Sequence, residues 1–267
     1  MVRKDKKIDM AMYTLHLFAG AGGGILADSL LGHAPIGACE IEEYPRRVLL
    51  QRQLDGILPV FPIWDDIKTL RSDNPECAEA FRTWRELSQQ LIVCGGFPCQ
   101  DISAAGRGEG ITGERSGLWG EMARVIGEIR PRFAFVENSP LLVSRGLEVV
   151  LGDLAEMGYD ARWGIVGAGH LLYPIKRNRI WILGRNNKIN EHGAREIHKR
   201  ANIKEYVWGA KQPGDLQNVE TSWLISNNFG SSMAYGDASE LDEIEAIGNA
   251  QVPAVAAFAF RKLMEDI

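Results

Sequence analysis

The sequence is poor in cysteine and contains neither a long hydrophobic run nor an internal repeat, and each absence excludes a class of protein. Four cysteines occur in 267 residues and none form a Cys-x-x-Cys pair, so we expect no disulfide scaffold and no structural zinc site. No apolar run approaches the roughly 18 to 20 residues that span a bilayer, and residues 1–7 lead into a predicted strand rather than a signal-peptide core. These absences predict a soluble, cytoplasmic protein that uses no metal and contacts no membrane.

The overall composition is that of an ordinary globular protein. Hydrophobic residues make up 45% and charged residues 24% of the chain, which excludes collagen-like, coiled-coil and largely disordered proteins. A chain of this length suffices for one large α/β domain, or for a catalytic domain with a small appendage.

Charge is unevenly distributed along the chain. The net charge is −5, which argues against a general affinity for polyanions. Residues 176–211 nevertheless hold ten Lys or Arg against three Asp or Glu, whereas residues 212–267 hold two against nine. This basic segment suits a local contact with phosphates, with a solvated charged loop as the alternative.

Short apolar runs alternate with amphipathic stretches through the first two thirds of the chain. The predicted strands are Tyr13–Phe18, Pro35–Cys39, Leu91–Cys94, Phe133–Val136 and Ile180–Leu183, and the predicted helices are residues 43–54, 75–90, 116–130 and 144–157. This rhythm is typical of a doubly wound, mostly parallel sheet of the Rossmann-like α/β class.

The pattern changes after residue 184, where Asn, Gly, Ser and charged residues become dominant. Pro253 then opens an Ala-rich apolar stretch that predicts a helix as far as Met264, because proline suits the first helical turn. The predicted parts of the chain are a catalytic, cofactor-binding domain over residues 1–184, a small separate region over residues 185–244, and a C-terminal helix within residues 245–267 that returns to the first domain.

A glycine-rich turn follows the first predicted strand. The run Phe18-Ala19-Gly20-Ala21-Gly22-Gly23-Gly24 allows the backbone to turn tightly and approach a ligand before a helix starts. Glu40 ends the next predicted strand, where a carboxylate can accept hydrogen bonds from both hydroxyls of a ribose. The strand, the glycines, the helix and the acid together indicate a nucleoside cofactor, although a tight structural turn would explain the glycines alone.

Two cysteines lie in a second loop, Cys94-Gly95-Gly96-Phe97-Pro98-Cys99-Gln100. Ligands of doubly wound sheets bind at the carboxyl ends of strands, so Cys99 is expected at the mouth of a site and is a candidate nucleophile. Cys94 still belongs to the predicted strand and is expected to be a small, buried hydrophobic residue.

Charged residues flank two further predicted strands. Glu137 leaves an apolar strand at the same edge as Cys99, where a raised pKa would make it an acid, with an ordinary loop carboxylate as the alternative. Arg177 and Arg179 are two residues apart and point to one face of a starting strand, where guanidinium groups suit a carbonyl oxygen or a phosphate, with a solvated strand entrance as the alternative. The histidines that are isolated in the sequence, and receive no role, are His16, His33 and His170.

Five motifs occur in an order that resembles the DNA (cytosine carbon-5) methyltransferase family, most closely its phage and prophage members. They are Phe18-Ala19-Gly20-Ala21-Gly22-Gly23, Gly96-Phe97-Pro98-Cys99-Gln100, Glu137-Asn138, Arg177-Asn178-Arg179 and Gly248-Asn249-Ala250-Gln251-Val252-Pro253. The resemblance extends over nearly the whole chain. It implies an enzyme of restriction–modification or phage origin that uses S-adenosyl-L-methionine (SAM) to methylate carbon 5 of a cytosine flipped out of double-stranded DNA.

The resemblance also implies a role for individual residues. Cys99 would be the nucleophile, Glu137 would engage the ring nitrogen of cytosine, and Arg177 and Arg179 would position the base. The implied cofactor contacts are Phe18 on the adenine, Glu40 on the ribose, and Ala19, Gly20, Gly22, Gly23, Ile41, Asp66, Ile67, Pro98, Asn249 and Ala250. The implied DNA contacts are Gln100, Ser103, Lys199 and Arg200.

The sequence departs from the family pattern at single positions and in length. The residues that differ from those common in the family are His16, Ile41, Ser139 and Ile175, and none of these changes removes a reacting group. Between Gly184 and Gly248 there is less chain than the family uses for target recognition, so the region 185–244 is expected to be a shortened recognition region.

Three other functions stay open on the sequence alone. They are an RNA cytosine methyltransferase on the same fold, a non-catalytic DNA-binding relative, and a nicotinamide-dependent oxidoreductase. The presence of all the expected reacting groups argues against the second. The third would explain the glycine turn and Glu40 but leaves Cys99, Glu137 and the two arginines without a joint purpose.

Overall fold

The computed structural model describes residues 12–98, 117–171, 177–189 and 251–265, which form an α/β structure around one sheet. The strands are β1 (Tyr13–Leu17), β2 (Ala34–Cys39), β3 (Ile63–Trp64), β4 (Leu91–Gly95), β5 (Phe133–Asn138), β6 (Tyr159–Gly167) and β7 (Asn178–Asn186). The helices are α1 (Gly23–Leu31), α2 (Glu43–Leu54), α3 (Ala78–Glu86), α4 (Leu118–Ile129), α5 (Leu142–Arg145), α6 (Leu147–Glu156) and α7 (Pro253–Met264). Two 3-10 turns cover Ser88–Gln90 and Ala168–Leu171.

The seven strands in this part of the chain lie in the order β3-β2-β1-β4-β5-β7-β6. Strands β3, β2, β1, β4 and β5 are parallel to one another, whereas β7 runs antiparallel to both β5 and β6. The chain therefore builds the sheet outward from β1 in one direction and from β4 in the other. This is the arrangement of a doubly wound fold, and the predicted fold class is confirmed.

Side chains of the central strands alternate between two hydrophobic cores on opposite faces of the sheet. On β4, Leu91 and Val93 pack into the core that contains residues of α3, α4 and α6, whereas Ile92 and Cys94 pack into the core beneath α1 and α7. Because both faces are covered, the central strands are mostly apolar, which is why they could be identified as short apolar runs, and the polar residues Thr14 and His16 of β1 are buried with them.

Helix α7 returns to the sheet after the long intervening segment. Pro253 occupies its first turn, where a missing backbone N–H costs little. The Phe260 ring meets Phe135 of β5 edge-on, with ring centroids 5.3 Å apart, and Arg261 Nη2 donates to the carbonyl of Leu30 in α1 at 2.5 Å. No helix among the described residues has the length and apolarity needed to cross a membrane.

Some helix and strand bounds agree with those predicted from the sequence, and others do not. Helices α2 and α7 begin and end as predicted. The helix predicted near residues 144–157 is confirmed over α6, but its predicted start was wrong, because Gly146, with a φ of 141°, separates α6 from the short helix α5. The helix predicted over residues 75–90 is also shorter, since α3 ends at Glu86 and the chain continues through a 3-10 turn. Strands β3 and β6 were not predicted.

Candidate active site

The strand order reverses between β1 and β4, which lie side by side. Leu17 at the end of β1 is level with Cys39 of β2 and Gly95 of β4, and Gly95 is level with Val136 of β5. Four loops or strand ends therefore meet at one edge of the sheet. Ligands of doubly wound proteins bind at such a reversal, on the carboxyl side of the strands.

The loop after β1 turns sharply at this edge. The N–H of Gly22 donates to the carbonyl of Ala19 at 3.0 Å, and the N–H of Ala19 donates to the carbonyl of Cys39 at 3.0 Å, which attaches the loop to the end of β2. Gly22 has a φ of 89°, and an added Cβ would lie 2.7 Å from Leu49 Cδ2 on α2. A side chain here would strain the backbone and clash with α2, so the turn requires glycine. Phe18, which also has a positive φ of 54°, is half-buried against the core.

Glu40 directly follows β2, and its side chain is almost completely buried. The N–H of Gly20 donates to Oε2 at 2.6 Å, and the N–H of Glu42 donates to Oε1 at 2.8 Å. Burial raises the pKa of Glu40, and the two backbone donors oppose that shift. Each carboxylate oxygen keeps a second acceptor position, so the group can accept two further hydrogen bonds from paired hydroxyls such as those of a ribose.

Other predicted cofactor residues near the ends of the strands differ in exposure. Ile41 is 61% exposed. Asp66 is half-buried and accepts a hydrogen bond from the N–H of Lys68 at 2.9 Å. The side chain of Ile67 belongs to the hydrophobic core, whereas Pro98 is half-buried at the end of the described loop after β4.

Glu137 lies near the end of β5, and its carboxylate is buried in the same edge of the sheet. Arg179 Nε is 2.6 Å from Oε1, and Gln251 Nε2 is 3.5 Å from Oε2. Burial raises the pKa of Glu137, while the charges of Arg179 and Arg177 and the hydrogen bond from Gln251 oppose that shift. A buried carboxyl with a raised pKa holds its proton to higher pH than an exposed one, which suits an acid.

The antiparallel pairing of β5 with β7 explains how the arginines reach Glu137. Asn138, at the end of β5, pairs with Ile180, near the start of β7. Arg179 therefore lies beside the end of β5, and Arg177 immediately precedes the strand. Two motifs that are separate in the sequence thus form one charged cluster.

The loop after β4 is attached to the same cluster. Asn138 Nδ2 donates to the carbonyl of Phe97 at 3.0 Å, and the Phe97 ring packs against Trp119 with centroids 5.6 Å apart. The chain is therefore anchored two residues before Cys99. The predicted site residues that lie outside the described part of the chain are Cys99, Gln100, Ser103, Lys199, Arg200, Asn249 and Ala250.

The three described cysteines, Cys39, Cys77 and Cys94, are buried and carry free thiols. Burial raises the pKa of each thiol. A protonated, buried thiol is a poor nucleophile, and the prediction that Cys94 serves packing is confirmed. The described residues include no group of three or more His, Cys, Asp or Glu that could hold a metal ion.

Sequence reasoning missed a buried polar cluster and one glutamine. His16 and His33 were treated as isolated, but His16 Nε2 lies 2.8 Å from Asp28 Oδ2, and His33 Nδ1 lies 3.9 Å from Asp28 Oδ1. The Thr14 hydroxyl also donates to Asp28 Oδ2 at 2.6 Å. The four residues lie on β1 (Thr14 and His16), on α1 (Asp28) and in the turn before β2 (His33), so only the folded chain brings them together. Gln251 contacts a carboxylate 114 positions away, which no local pattern signals.

Comparison with curated proteins identifies relatives of one kind. Type II methyltransferase M.CviJI of Paramecium bursaria Chlorella virus IL3A is 28% identical over 227 residues, which cover 81% of this chain and 54% of that protein. Type II methyltransferase M.HhaI of Haemophilus parahaemolyticus is 27% identical over 191 residues, which cover 70% of this chain and 53% of that protein. The chain therefore spans about half the length of these relatives.

Solved structures share the fold at low sequence identity. A prophage-encoded E. coli protein assigned as a DNA modification methyltransferase aligns with a TM-score of 0.50 and 19% identity, covering 66% of this chain and 47% of that one. A DNMT2 variant of Spodoptera frugiperda aligns with a TM-score of 0.51 and 15% identity, covering 67% and 51% of the two chains. The family model for C-5 cytosine-specific DNA methylases matches residues 12–252. Because that match includes most of the sequence and the whole of the strand-end site, the chain belongs to the C-5 cytosine-specific DNA methylase family.

Proposed function

We propose that this chain is a SAM-dependent DNA (cytosine-5)-methyltransferase that methylates a cytosine flipped out of double-stranded DNA. The observation that carries the proposal is the ion pair of the buried Glu137 with the partly exposed Arg179, which lies at the same sheet edge as Glu40 and as the loop that leads to Cys99. A proton donor, a cation and an acceptor for ribose hydroxyls at one edge meet the needs of this reaction. Membership of the family supports the same assignment.

Cys99 is the proposed nucleophile. Carbon 5 of cytosine is too weak a nucleophile to accept a methyl group unaided, so the Cys99 thiolate first forms a bond to carbon 6 and the ring electrons shift toward carbon 5. After carbon 5 is methylated, its proton leaves to a base and the bond between sulfur and carbon 6 breaks, which restores the thiolate and the aromatic ring. The three other cysteines of the chain are buried, which supports this choice.

Glu137 and Arg179 stabilise the ring as the thiolate adds. Glu137 protonates or hydrogen-bonds the ring nitrogen next to the carbonyl, and burial, by raising its pKa, helps it to hold the proton until then. Arg179, whose Nε lies 2.6 Å from Glu137 Oε1, would offset negative charge that develops on the carbonyl oxygen of the base that Glu137 engages. We assign Arg177 to the same task of positioning the base.

The ends of β1 and β2 fit SAM. The Glu40 carboxylate is fixed by two backbone N–H groups, which orients its remaining acceptor positions for ribose hydroxyls. Among the described residues, no atom lies within 4 Å of an added Cβ on Gly20, whose N–H holds that carboxylate, so this part of the chain leaves space at the turn. SAM supplies an electrophilic methyl group on a sulfonium. Asn249 and Ala250 are proposed as further cofactor contacts.

The target base must leave the duplex, because carbon 6 and the ring nitrogen are not accessible to a protein side chain in stacked DNA. The proposed DNA contacts are Gln100, Ser103, Lys199 and Arg200. The reaction would take place in the cytoplasm of a bacterial or phage-infected cell.

Salt dependence tests the DNA contacts of the basic segment. Each neutralised phosphate releases about 0.9 of a counterion, so reversing the charge of both Lys199 and Arg200 should reduce the slope of log affinity against log salt by about 2. Fluorescence anisotropy with a labelled duplex measures the slope. The control is Arg47→Glu, at an exposed arginine on α2, and it should leave the slope unchanged. If the variant with both charges reversed keeps the wild-type slope, the basic segment is a solvated loop that does not contact DNA phosphates.

Bisulfite sequencing of DNA from cells that express the chain tests the proposed reaction. We expect cytosines that resist bisulfite conversion within a recurring sequence, and no such cytosines in cells that express Cys99→Ala. If all cytosines in DNA are converted but RNA contains methylated cytosine, the chain is instead an RNA methyltransferase. DNA binding by the purified protein without any methylation would assign a non-catalytic DNA-binding protein.

A further inference from the structure

Gln251 lies just before α7 and contacts two different parts of the site. Its backbone carbonyl packs against Gly23 so closely that a Cβ at residue 23 would overlap it. Its side-chain Oε1 lies beside Gly24, where an added Cβ would be 2.6 Å away. Its Nε2 lies 3.5 Å from Oε2 of Glu137. One side chain therefore connects the start of α1 with the carboxylate near the end of β5.

Both oxygens of Glu137 are restrained in this arrangement. Oε1 pairs with Arg179 Nε at 2.6 Å, whereas Oε2 faces the amide of Gln251. Oε2 also packs against the backbone of Gly96, since a Cβ at residue 96 would lie 2.6 Å from it and 3.4 Å from Gln251 Nε2. The carboxyl group is thus held by a cation on one side and by an amide and a main-chain surface on the other.

We propose that Gln251 is a positioning residue whose amide fixes the orientation of Glu137 Oε2 and makes that orientation depend on the loop at the start of α1. This inference rests on the proposed function for its effect on catalysis, whereas the orientation of the carboxyl group is a property of the folded chain. It assigns a role to the residue that directly follows the Asn249-Ala250 pair in the C-terminal motif.

The charges around Glu137 determine what the amide does. An N–H donor stabilises the ionised form of a carboxyl group, as do the guanidinium groups of Arg177 and Arg179 at the start of β7. On the other side of Gln251, the His16 ring lies against the same Gly24. Removing the amide would therefore leave Glu137 easier to protonate and leave Oε2 without its side-chain partner, while Arg179 still holds Oε1.

The variant Gln251→Met removes the amide and keeps the length of the side chain over Gly23 and Gly24. In protein labelled with carbon-13 at glutamate carboxyls, NMR follows the titration of Glu137, assigned by the signal missing from Glu137→Gln. We expect Glu137 to titrate at higher pH in Gln251→Met than in the wild type. An unchanged midpoint would overturn the proposal, and because this measurement requires no turnover, it is independent of whether the proposed function is correct.

Gln251→Glu is a second variant of nearly the same size. Its carboxylate would face Glu137, and a like charge disfavours ionisation, so the midpoint of Glu137 should rise further than in Gln251→Met. A midpoint equal to that of the wild type in this variant would show that residue 251 does not face Glu137, and would also overturn the proposal.

Gly24→Ala tests the dependence on the loop. Residue 24 lies in α1, where alanine is favourable, but its Cβ would be 2.6 Å from Gln251 Oε1 and would displace the amide. We expect Glu137, on a different element, to titrate at higher pH in this variant. The matched control is Gly152→Ala in α6, where an added Cβ would meet none of the described atoms within 4 Å, and it should leave the midpoint unchanged. A wild-type midpoint in Gly24→Ala would disprove the dependence.

Methylation kinetics give a further test if the proposed function holds. Loss of one orienting hydrogen bond in Gln251→Met should lower kcat about threefold to tenfold. KM for DNA should stay the same, and the high-pH limb of kcat should move to higher pH. A fall in kcat by the same factor at every pH would indicate a merely structural role and contradict the proposal. Gln53→Met, which removes an amide bonded to the carbonyl of Phe61 at 3.0 Å, is the matched control and should leave the pH profile unchanged.

Discussion

Glu40 and Glu137 occupy corresponding places in the two halves of the sheet, but they are held by different kinds of partner. Each lies at the carboxyl end of a parallel strand, each is buried, and burial raises the pKa of each. Two backbone N–H groups hold Glu40. Two side chains, a guanidinium and an amide, hold Glu137.

The kind of partner determines what each carboxylate can do. Backbone donors in a tight loop cannot reorient without unfolding the loop, so they keep Glu40 in one geometry, as a ligand contact requires. Side-chain donors can adjust as a proton arrives or leaves, which suits a group that acts as an acid. In the proposed function, the same functional group therefore serves as a fixed acceptor in one half of the site and as a proton donor in the other.

The largest effect is expected for Glu137→Gln. Glutamine keeps the shape of the side chain but has no carboxyl proton to give, so single-turnover methyl transfer should slow by about 10² to 10⁴-fold. DNA affinity should be retained. The exposed Glu148→Gln on α6 is a control that should leave the rate unchanged. If the Glu137→Gln protein methylates DNA at the wild-type rate, Glu137 does not act as an acid and does not differ from Glu40 in that way.

A smaller effect, on binding rather than rate, is expected for Glu40→Ala. Loss of charge-assisted hydrogen bonds to the ribose should weaken SAM binding by about 1.5 to 3 kcal/mol, which calorimetry measures. Glu43→Ala, at an exposed glutamate on α2, should bind SAM like the wild type. Unchanged SAM affinity with a lower rate at saturating SAM would mean that Glu40 acts in catalysis and not as a fixed acceptor.

The smallest effect concerns stability and pH. Because the folded pKa of Glu137 lies above its unfolded value near 4.5, the stability it contributes is fully present below pH 4.5 and is lost as pH rises through the folded pKa. Glu137→Gln should therefore lose less unfolding free energy than the wild type as pH rises above 4.5. Urea unfolding at a series of pH values measures this difference, and parallel curves for the two proteins would contradict it.

His33 should show the opposite dependence. Burial lowers the pKa of His33, with Asp28 opposing the shift, so its contribution to stability is present above its unfolded pKa near 6.5 and is lost as pH falls through the folded value. In the same unfolding series, His33→Gln should lose less stability below pH 6.5 than the wild type. An unchanged pH dependence would show that His33 is not a neutral, buried group.

Local patterns were sufficient for the elements and strand ends that carry the motifs. The apolar runs of the central strands could be recognised because both faces of the sheet are covered, and the carboxyl ends of those strands predicted where Glu40 and Glu137 lie. Strand β6 was missed because it is an edge strand in which Trp163 and Ile165 are exposed, so it shows neither an apolar run nor a clean alternation.

The missed parts of the site depend on tertiary structure. The contacts of Asp28 with His16 and Thr14 join α1 to β1, and the contact of Gln251 with Glu137 joins residues 114 positions apart. Gln251 belongs to the C-terminal motif, but neither that motif nor the periodicity around Thr14, His16 and Asp28 carries information about which residue each side chain contacts.

The central claim is that Cys99 adds to carbon 6 of cytosine at the edge where Glu137 lies. Duplex DNA with 5-fluorocytosine at the target position should become covalently attached to the protein in the presence of SAM, because fluorine cannot leave as the carbon-5 proton does. Cys99→Ala should abolish both the adduct and methylation while keeping SAM affinity. Cys94→Ala should keep both reactions, with a loss of about 1 kcal/mol in stability from its buried site.

Peptide mapping of that adduct tests the claim most directly. We predict that the modified peptide contains Cys99 and that the fluorinated base is attached to its sulfur. Attachment at Cys94, or full methylation of DNA by the Cys99→Ala protein, would contradict the mechanism.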